Sequence, residues 1–278
     1  MLFQPQFSQL GAWTNWANSN YHSLQVTVKK TAGFGTFAFN YVFSKSIDND
    51  STAENGDLIP GSLTTVQGLI QNPFDLRLNR AVSDFDLTHN FNGFAVIDLP
   101  FGHGHKWLSN GGGIVNALVG DWEVTDTARW RSGFPLSPGN GFNFPTNFFL
   151  TTDGTLTSSI NSSVTRNANA AGPNLFSNPD TAINNFGFTL PGLPGSRNIL
   201  RGPGYASMDM GVTKSFRLTE RTKLQFRATV FNVFNSVNFN DGSISLDPTS
   251  PATFGIITSS ALTKGFNRDM EFAIRLEF

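Results

Sequence analysis

The chain has 278 residues, a formal net charge of −1, no cysteine and no long apolar run. These values exclude a helical membrane span, a disulfide framework and a thiolate metal site, and the near-neutral charge gives no indication of nucleic-acid binding. Phenylalanine occurs 28 times, far more often than in an ordinary soluble domain. That frequency is typical of strands whose outer face meets lipid.

Four segments in the first half of the chain alternate apolar and polar residues, which predicts β-strands. Residues 21–30 and 34–46 flank a turn at Ala32-Gly33, so we expect them to form a hairpin. Residues 85–99 are the third predicted strand and residues 121–131 are the fourth. Asp126 is the one misfit on the apolar face of the fourth strand.

Three further strands are predicted in the second half of the chain. Residues 205–218 and 223–235 flank a turn at residues 219–222. The alternation slips at residues 231–234, where we expect a bulge or the end of the membrane-embedded part. The last strand places its apolar side chains on one face, and these are Met270, Phe272, Ile274, Leu276 and Phe278.

The terminal strand has the length and the period of a strand that crosses a bilayer, about nine to eleven residues at a tilt. A strand at the edge of a soluble sandwich would alternate in the same way. The aromatic last residue, however, resembles the signal strand by which outer-membrane barrels are presented to the barrel-assembly machinery. We therefore expect the apolar face of this strand, including Phe278, to be an assembly signal.

Charged residues of the predicted strands fall on the opposite face, which suits a wet lumen. These side chains could steer anionic solutes or pair with each other, and pairing is the preferred interpretation. The predicted lumen-facing set is Glu123, Arg129, Arg131, Arg227, Glu271, Arg275 and Glu277.

The connections between predicted strands are alternately long and short. Residues 47–84, 132–204 and 236–265 are long, whereas residues 31–33, 100–120 and 219–222 are shorter. This layout is usual for an outer-membrane barrel with long extracellular loops and a periplasmic carboxy terminus. The long connections are rich in Gly, Pro, Asn, Ser and Thr, which predicts irregular loops.

Few residues of the sequence suggest catalysis or metal binding. His103 and His105 lack a third ligand nearby and are more simply part of a solvated turn. A calcium site formed by Asp48, Asp50, Glu54 and Asp57 is weakened by Ala53, which occupies the position of the glycine that a helical calcium loop requires. Asp84 and Asp86 are expected to begin a strand and to form hydrogen bonds at the rim. No catalytic constellation is present in the sequence, so we predict neither an enzyme nor a bound cofactor or metal.

Several short motifs together resemble a known family. They include DLPFG at residues 98–102, GDWEV at 120–124, RGPG at 201–204, FNVFN at 231–235 and the terminal FAIRLEF at 272–278. In this order, with residues 21–26, 41–48, 83–89 and 132–135, they resemble the barrel domain of Oar-like TonB-dependent transporters. The resemblance implies an all-β fold, an antiparallel transmembrane barrel of about 22 strands closed around an amino-terminal plug.

On this resemblance, residues 1–278 are expected to be the carboxy-terminal part of such a barrel, with seven or eight strands and without the plug, the TonB box or a signal peptide. The expected function is the wall of an outer-membrane transporter for an unidentified ligand. Its expected partners are outer-membrane lipid, the barrel-assembly machinery, the missing strands and plug, and TonB through that plug. The alternatives are a structural or adhesive surface protein anchored by the barrel and, more distantly, a soluble all-β binding module.

Overall fold

A computed structural model describes residues 15–51, 70, 72, 74–139, 153–166, 172–190, 193–240, 244–258 and 267–278. Its main feature is one antiparallel sheet in which each long strand pairs with the next along the chain. The strand Ala81–Val82 pairs with the end of the second long strand. The seven long strands, β1 to β7, are Ser19–Ala32, Gly35–Asp48, His89–Asp98, Trp122–Arg131, Tyr205–Arg217, Lys223–Phe231 and Asp269–Glu277.

All seven predicted strands are present, and the all-β antiparallel fold is confirmed. Two boundaries differ from the predictions by four residues, and the others differ by two residues or fewer. The third strand begins at His89 rather than at residue 85, because the preceding residues form a turn. The sixth strand ends at Phe231, because Asn232 adopts a positive φ of 50° that an extended strand does not accommodate.

Long and short connections lie at opposite ends of the sheet, as predicted. Residues 49–88, 132–204 and 232–268 connect strands at one end, which we call the long-loop end. Residues 33–34, 99–121 and 218–222 connect strands at the other, the short-turn end. Helix α1, Gly113–Val119, lies in the connection between β3 and β4.

The sheet has one continuous apolar face, because residues directly opposite each other in antiparallel strands share a face. Trp130 of β4 is opposite Phe91 of β3, which is opposite Tyr41 of β2. At the carboxy-terminal edge, Phe226 of β6 is opposite Ile274 of β7, whose side chain is 74% exposed. A large exposed apolar face has no protein to cover it within the described residues and fits a lipid environment.

The sheet is open. Both β1 and β7 pair with a neighbour on one side only among the described residues. Because seven alternating strands place the first and the last in the same direction, β1 and β7 cannot close the sheet as an antiparallel pair. Residues 3–16 are rich in aromatic residues but alternate poorly, and they are the sequence's candidate for an eighth strand. They lie largely outside the described residues.

The hydrophobic core lies in the long connections instead of in the sheet. We call the described parts of residues 132–204, together with residues 244–258, the loop cap. Short antiparallel pairs join Pro135–Leu136 to Leu200–Arg201, Thr155–Leu156 to Phe186–Gly187, and Thr165–Arg166 to Pro173–Asn174, and helix α2 covers Pro179–Ile183. The buried core residues are Leu175, Phe176, Ala182, Phe186, Leu200, Leu246 and Phe254.

This core corrects the prediction of irregular loops. The ring of Phe254 stacks on Phe176 with a centroid distance of 5.2 Å and meets Phe186 edge-on at 5.6 Å. Asn174, also buried, donates its side-chain amide to the carbonyl of Phe254 and accepts from the backbone N–H of Phe176. Two long connections are therefore folded together into one packed unit. Among the described residues, α1 and α2 included, no helix has the length and apolarity needed to cross a membrane.

Candidate functional site: the polar sheet face and the loop cap

The seven charged residues predicted to face a lumen all lie on the sheet face opposite the apolar one. Arg129 is opposite Asn92 and Ser207, and Arg227 is opposite Thr213 and Ala273. This polar sheet face carries both signs of charge and many hydroxyl and amide side chains. It has the composition expected of a surface in contact with water.

Pairing on the polar sheet face is partly as predicted. Arg275 Nε lies 3.2 Å from Glu277 Oε1, and both side chains are largely exposed, so this ion pair contributes little stability. Arg131 also stacks on aromatic rings, because its guanidinium lies 4.3 Å from the ring centroid of Phe134 and 5.7 Å from that of Tyr205. Stacking on these rings keeps the cation at the long-loop end of β4.

A second group of polar residues joins the loop cap to the end of β2 and to the connection between β2 and β3. We call this group the rim latch; it comprises Asp48, Asp84, Asp86, Arg197, Asn198 and Arg201. Arg201 Nη2 lies 2.5 Å from Asp86 Oδ2, and its Nη1 donates to the Asp86 carbonyl at 3.0 Å. The other Asp86 carboxylate oxygen accepts from the backbone N–H of Ser46 at 2.6 Å.

The rest of the rim latch makes the same link with other partners. Arg197 donates to both the carboxylate and the carbonyl of Asp48. Asn198 donates its side-chain amide to Asp84 Oδ1 at 2.5 Å and to the Val82 carbonyl at 2.7 Å. Charge-assisted hydrogen bonds of this kind are the stronger ones. The loop cap is thus held to the sheet end at several points.

The alternative of a calcium site at Asp48, Asp50, Glu54 and Asp57, which the sequence does not favour, gains no support from the described residues. Both carboxylate oxygens of Asp48 already accept hydrogen bonds, one from Arg197 and one from the Ser51 hydroxyl at 2.6 Å. Glu54 and Asp57 lie outside the described residues. No cluster of three or more metal-ligating side chains occurs within the described ranges, and His103 and His105 lie in the connection between β3 and β4.

Asp84 and Asp86 do form hydrogen bonds at the rim, as predicted, but they precede β3 instead of beginning it. Their partners Arg197, Asn198 and Arg201 were not identified as site residues from the sequence. Asp86 and Arg201 are 115 positions apart. No local pattern reports a contact over that separation, although Arg201 begins one of the family-like motifs.

The carboxyl of Asp153, in the loop cap, has an unusually high pKa. Burial raises the pKa of its carboxyl to about 7, while the Ser137 hydrogen bond and the charge of Arg197 oppose the rise and Asp84 adds to it. The folded cap therefore binds the Asp153 proton more tightly than the opened cap, in which the pKa is close to 3.8. The contribution of Asp153 to the stability of the folded cap is therefore fully present below pH 3.8, and it is lost as the pH rises to about 7.

We expect the equilibrium constant for opening of the loop cap to rise at least about tenfold between pH 5 and pH 8. Asp153→Asn should remove most of this pH dependence. Hydrogen exchange of residues 153–166, corrected for intrinsic rates, measures the effect. A pH dependence of the same size in the variant would assign the titration to another group.

Comparison with known proteins agrees with this architecture. A family model described as an outer membrane beta barrel domain matches residues 1–271. The chain belongs to this family. Searches of curated proteins and of solved structures gave no match. Membership in the family confirms the predicted outer-membrane β-barrel and assigns the exposed apolar face of its sheet to lipid.

The difference between the two sheet faces predicts different tolerance to charge. Phe272→Arg places a cation on the lipid side of β7, five positions before the end of the strand at Glu277, and should cost about 2–4 kcal/mol. Glu271→Arg on the polar sheet face of the same strand should cost much less. The measurement is the outer-membrane abundance of the full-length protein. Equal losses for the two variants would contradict the assignment of faces.

Proposed function

We propose that the chain is part of the wall of an outer-membrane TonB-dependent transporter that takes up an unidentified ligand. The observation that carries the proposal is the open sheet, whose terminal strands run in the same direction. Such a sheet needs additional strands before it can close, and large closed barrels are the ones whose lumen holds a plug. The family-like motifs along the chain support the same function.

The edge strands indicate where the additional strands would bind. In β1 nearly every residue is exposed on both faces, and in β7 the same holds up to Glu277. Unsatisfied backbone groups along such edges do not remain exposed in a bilayer. We infer that upstream strands of the full-length protein pair with β1 and that its first strand pairs with β7. The plug is also inferred to lie upstream, together with the segment that contacts TonB.

Binding to TonB tests the transporter proposal. The full-length protein in detergent should retain the purified periplasmic domain of TonB, and a variant shortened to start at Met1 should not. Retention by neither form would favour the alternative of a surface protein that uses the barrel as an anchor. The shortened form is also the control for non-specific retention.

In this proposal the loop cap is extracellular and the carboxy terminus is periplasmic. The long-loop end would then capture ligand, since loops held by a rigid scaffold are common binding sites. Ser159 in the cap and Asn110 at the short-turn end are both exposed and serve as labelling positions. An impermeant thiol reagent on intact cells should label Ser159→Cys and spare Asn110→Cys. The reverse result would invert the orientation.

The terminal strand is proposed to be the signal for the assembly machinery. Phe278 is 99% exposed, so its deletion removes almost no packing within the chain. Deletion should nevertheless lower outer-membrane abundance at least about tenfold, which is more than the lost apolar area explains. Phe278→Tyr keeps an aromatic last residue and should have nearly the abundance of the wild type. If deletion of Phe278 leaves abundance unchanged, recognition does not depend on this residue.

A further inference from the structure

The apolar face contains a groove near the short-turn end of the sheet. Its volume is about 380 Å³, and it lies between α1 and strands β4 to β7. The lining is apolar except for Lys214, and it includes Leu118, Trp122, Phe226 and Ile274. The volume is within the range of roughly 300–1,000 Å³ that is usual for ligand sites. We call it the lysine groove.

Lys214 is an unusual residue for this position. The register of β5 places it on the apolar face, opposite Trp122 and Phe226. The residue is only 3% exposed, and its ammonium lies 4.9 Å from the ring centroid of Phe216 and 5.7 Å from that of Trp122. A buried cation in contact with lipid is costly unless an anion compensates it.

The protein compensates this charge only in part. The ammonium donates a hydrogen bond to the Gly120 carbonyl, and Asp121 contributes a favourable electrostatic interaction from an exposed position. An ammonium has three N–H donors, and the described residues provide an acceptor for one of them. The remaining donors suit a phosphate oxygen.

The depth of the lysine groove also suits a lipid headgroup. Lys214 lies three positions before the end of β5 at Arg217, about 10 Å along the strand. Helix α1 borders the groove and exposes Ile114, at 80%, and Leu118. Apolar side chains on a short helix at this level, beside Trp122, are typical of the boundary between hydrocarbon and headgroups.

We propose that the lysine groove binds one anionic phospholipid of the leaflet at the short-turn end. The acyl chain lies against Phe226 and Ile274, and the headgroup phosphate accepts hydrogen bonds from Lys214. The bound lipid would fix the connection that contains α1 to the barrel wall.

Native mass spectrometry of the full-length protein in neutral detergent, titrated with dioleoylphosphatidylglycerol, tests this proposal. One lipid should bind at least about tenfold more tightly than the others, and Lys214→Met should abolish that difference. Lys45→Met is the matched control, because Lys45 lies on the same face near the long-loop end. It should leave the tight lipid in place.

A second variant separates lipid binding from a folding defect. Ile274→Trp fills the groove from an exposed position and keeps Lys214, and it should also remove the tight lipid. Dioleoylphosphatidylcholine should bind at least about tenfold more weakly, and millimolar inorganic phosphate should not displace the lipid. Retention of the tight lipid in Lys214→Met or in Ile274→Trp would overturn the proposal. Equal binding of the two lipids, or displacement of the lipid by phosphate alone, would also overturn it.

Discussion

Replacing Phe254 by alanine should open the loop cap, with hydrogen exchange in residues 172–190 at least about 100-fold faster than in the wild type. Phe254 is 1% exposed and joins two aromatic rings from the other long connection. Truncating a buried phenylalanine costs about 3–5 kcal/mol, and each 1.4 kcal/mol of opening free energy changes exchange about tenfold. The measurement is hydrogen exchange by mass spectrometry on the full-length protein in detergent.

Phe188→Ala is the matched control, because Phe188 lies in the same loop cap with 61% of its surface exposed. That variant should leave exchange in the cap nearly unchanged. The long strands should keep their protection in both variants, since their hydrogen-bond pairing does not involve Phe254. Similar acceleration in both variants would mean that the core around Phe254 does not hold the cap together.

The long strands could be predicted from the sequence because their signal is local. A strand between lipid and water repeats every two residues, and each residue carries that information independently. The slip in alternation after residue 230 coincides with the end of β6 at Phe231. The predicted third strand begins four residues too early, because residues 85–88 continue its alternation of apolar and polar residues. The buried hydrogen bond between Asp86 and Ser46 is formed only in the folded chain.

The loop cap could not be predicted in the same way. Its core joins Asn174 and its neighbours to Phe254, 80 positions later. The segments that contribute to it are rich in turn-forming residues and have no helical or strand period. The composition of a segment indicates how it interacts with water on its own. It does not indicate which distant segment covers its apolar side chains. The sequence therefore predicts irregular loops for the segments that contain Leu175, Phe176 and Phe254.

The charged residues on the apolar face could be predicted only in part from the sequence. The alternation pattern identifies Asp126 as a misfit, and the structure places it opposite Ala95 and Met210 on that face. Lys214 interrupts the apolar series between Val212 and Phe216 in the same way. Its importance depends on α1 and on the Gly120 carbonyl, which belong to another connection. Alternation locates such a residue, whereas its partners become known only from the fold.

Breaking the rim latch at Arg201 should have the other large effect. The Asp86 side chain is 1% exposed, and Arg201→Met leaves its carboxylate without the cation that neutralises it. Removing one partner of a buried pair costs about 3–5 kcal/mol, and the value here should be near the lower end because Arg201 is 34% exposed. Hydrogen exchange at Ser46 and residues 81–88 should accelerate about 100-fold.

Two further variants identify the cause of that effect. Arg80→Met removes an exposed arginine that donates to Asn18 and Asn20, and it should change exchange by less than about threefold. Adding Asp86→Asn to Arg201→Met removes the uncompensated charge while an amide oxygen can still accept from the Ser46 N–H. The double variant should therefore recover much of the lost protection. If it remains as exposed to exchange as Arg201→Met alone, packing of the arginine side chain, and not the buried charge, stabilises the rim latch.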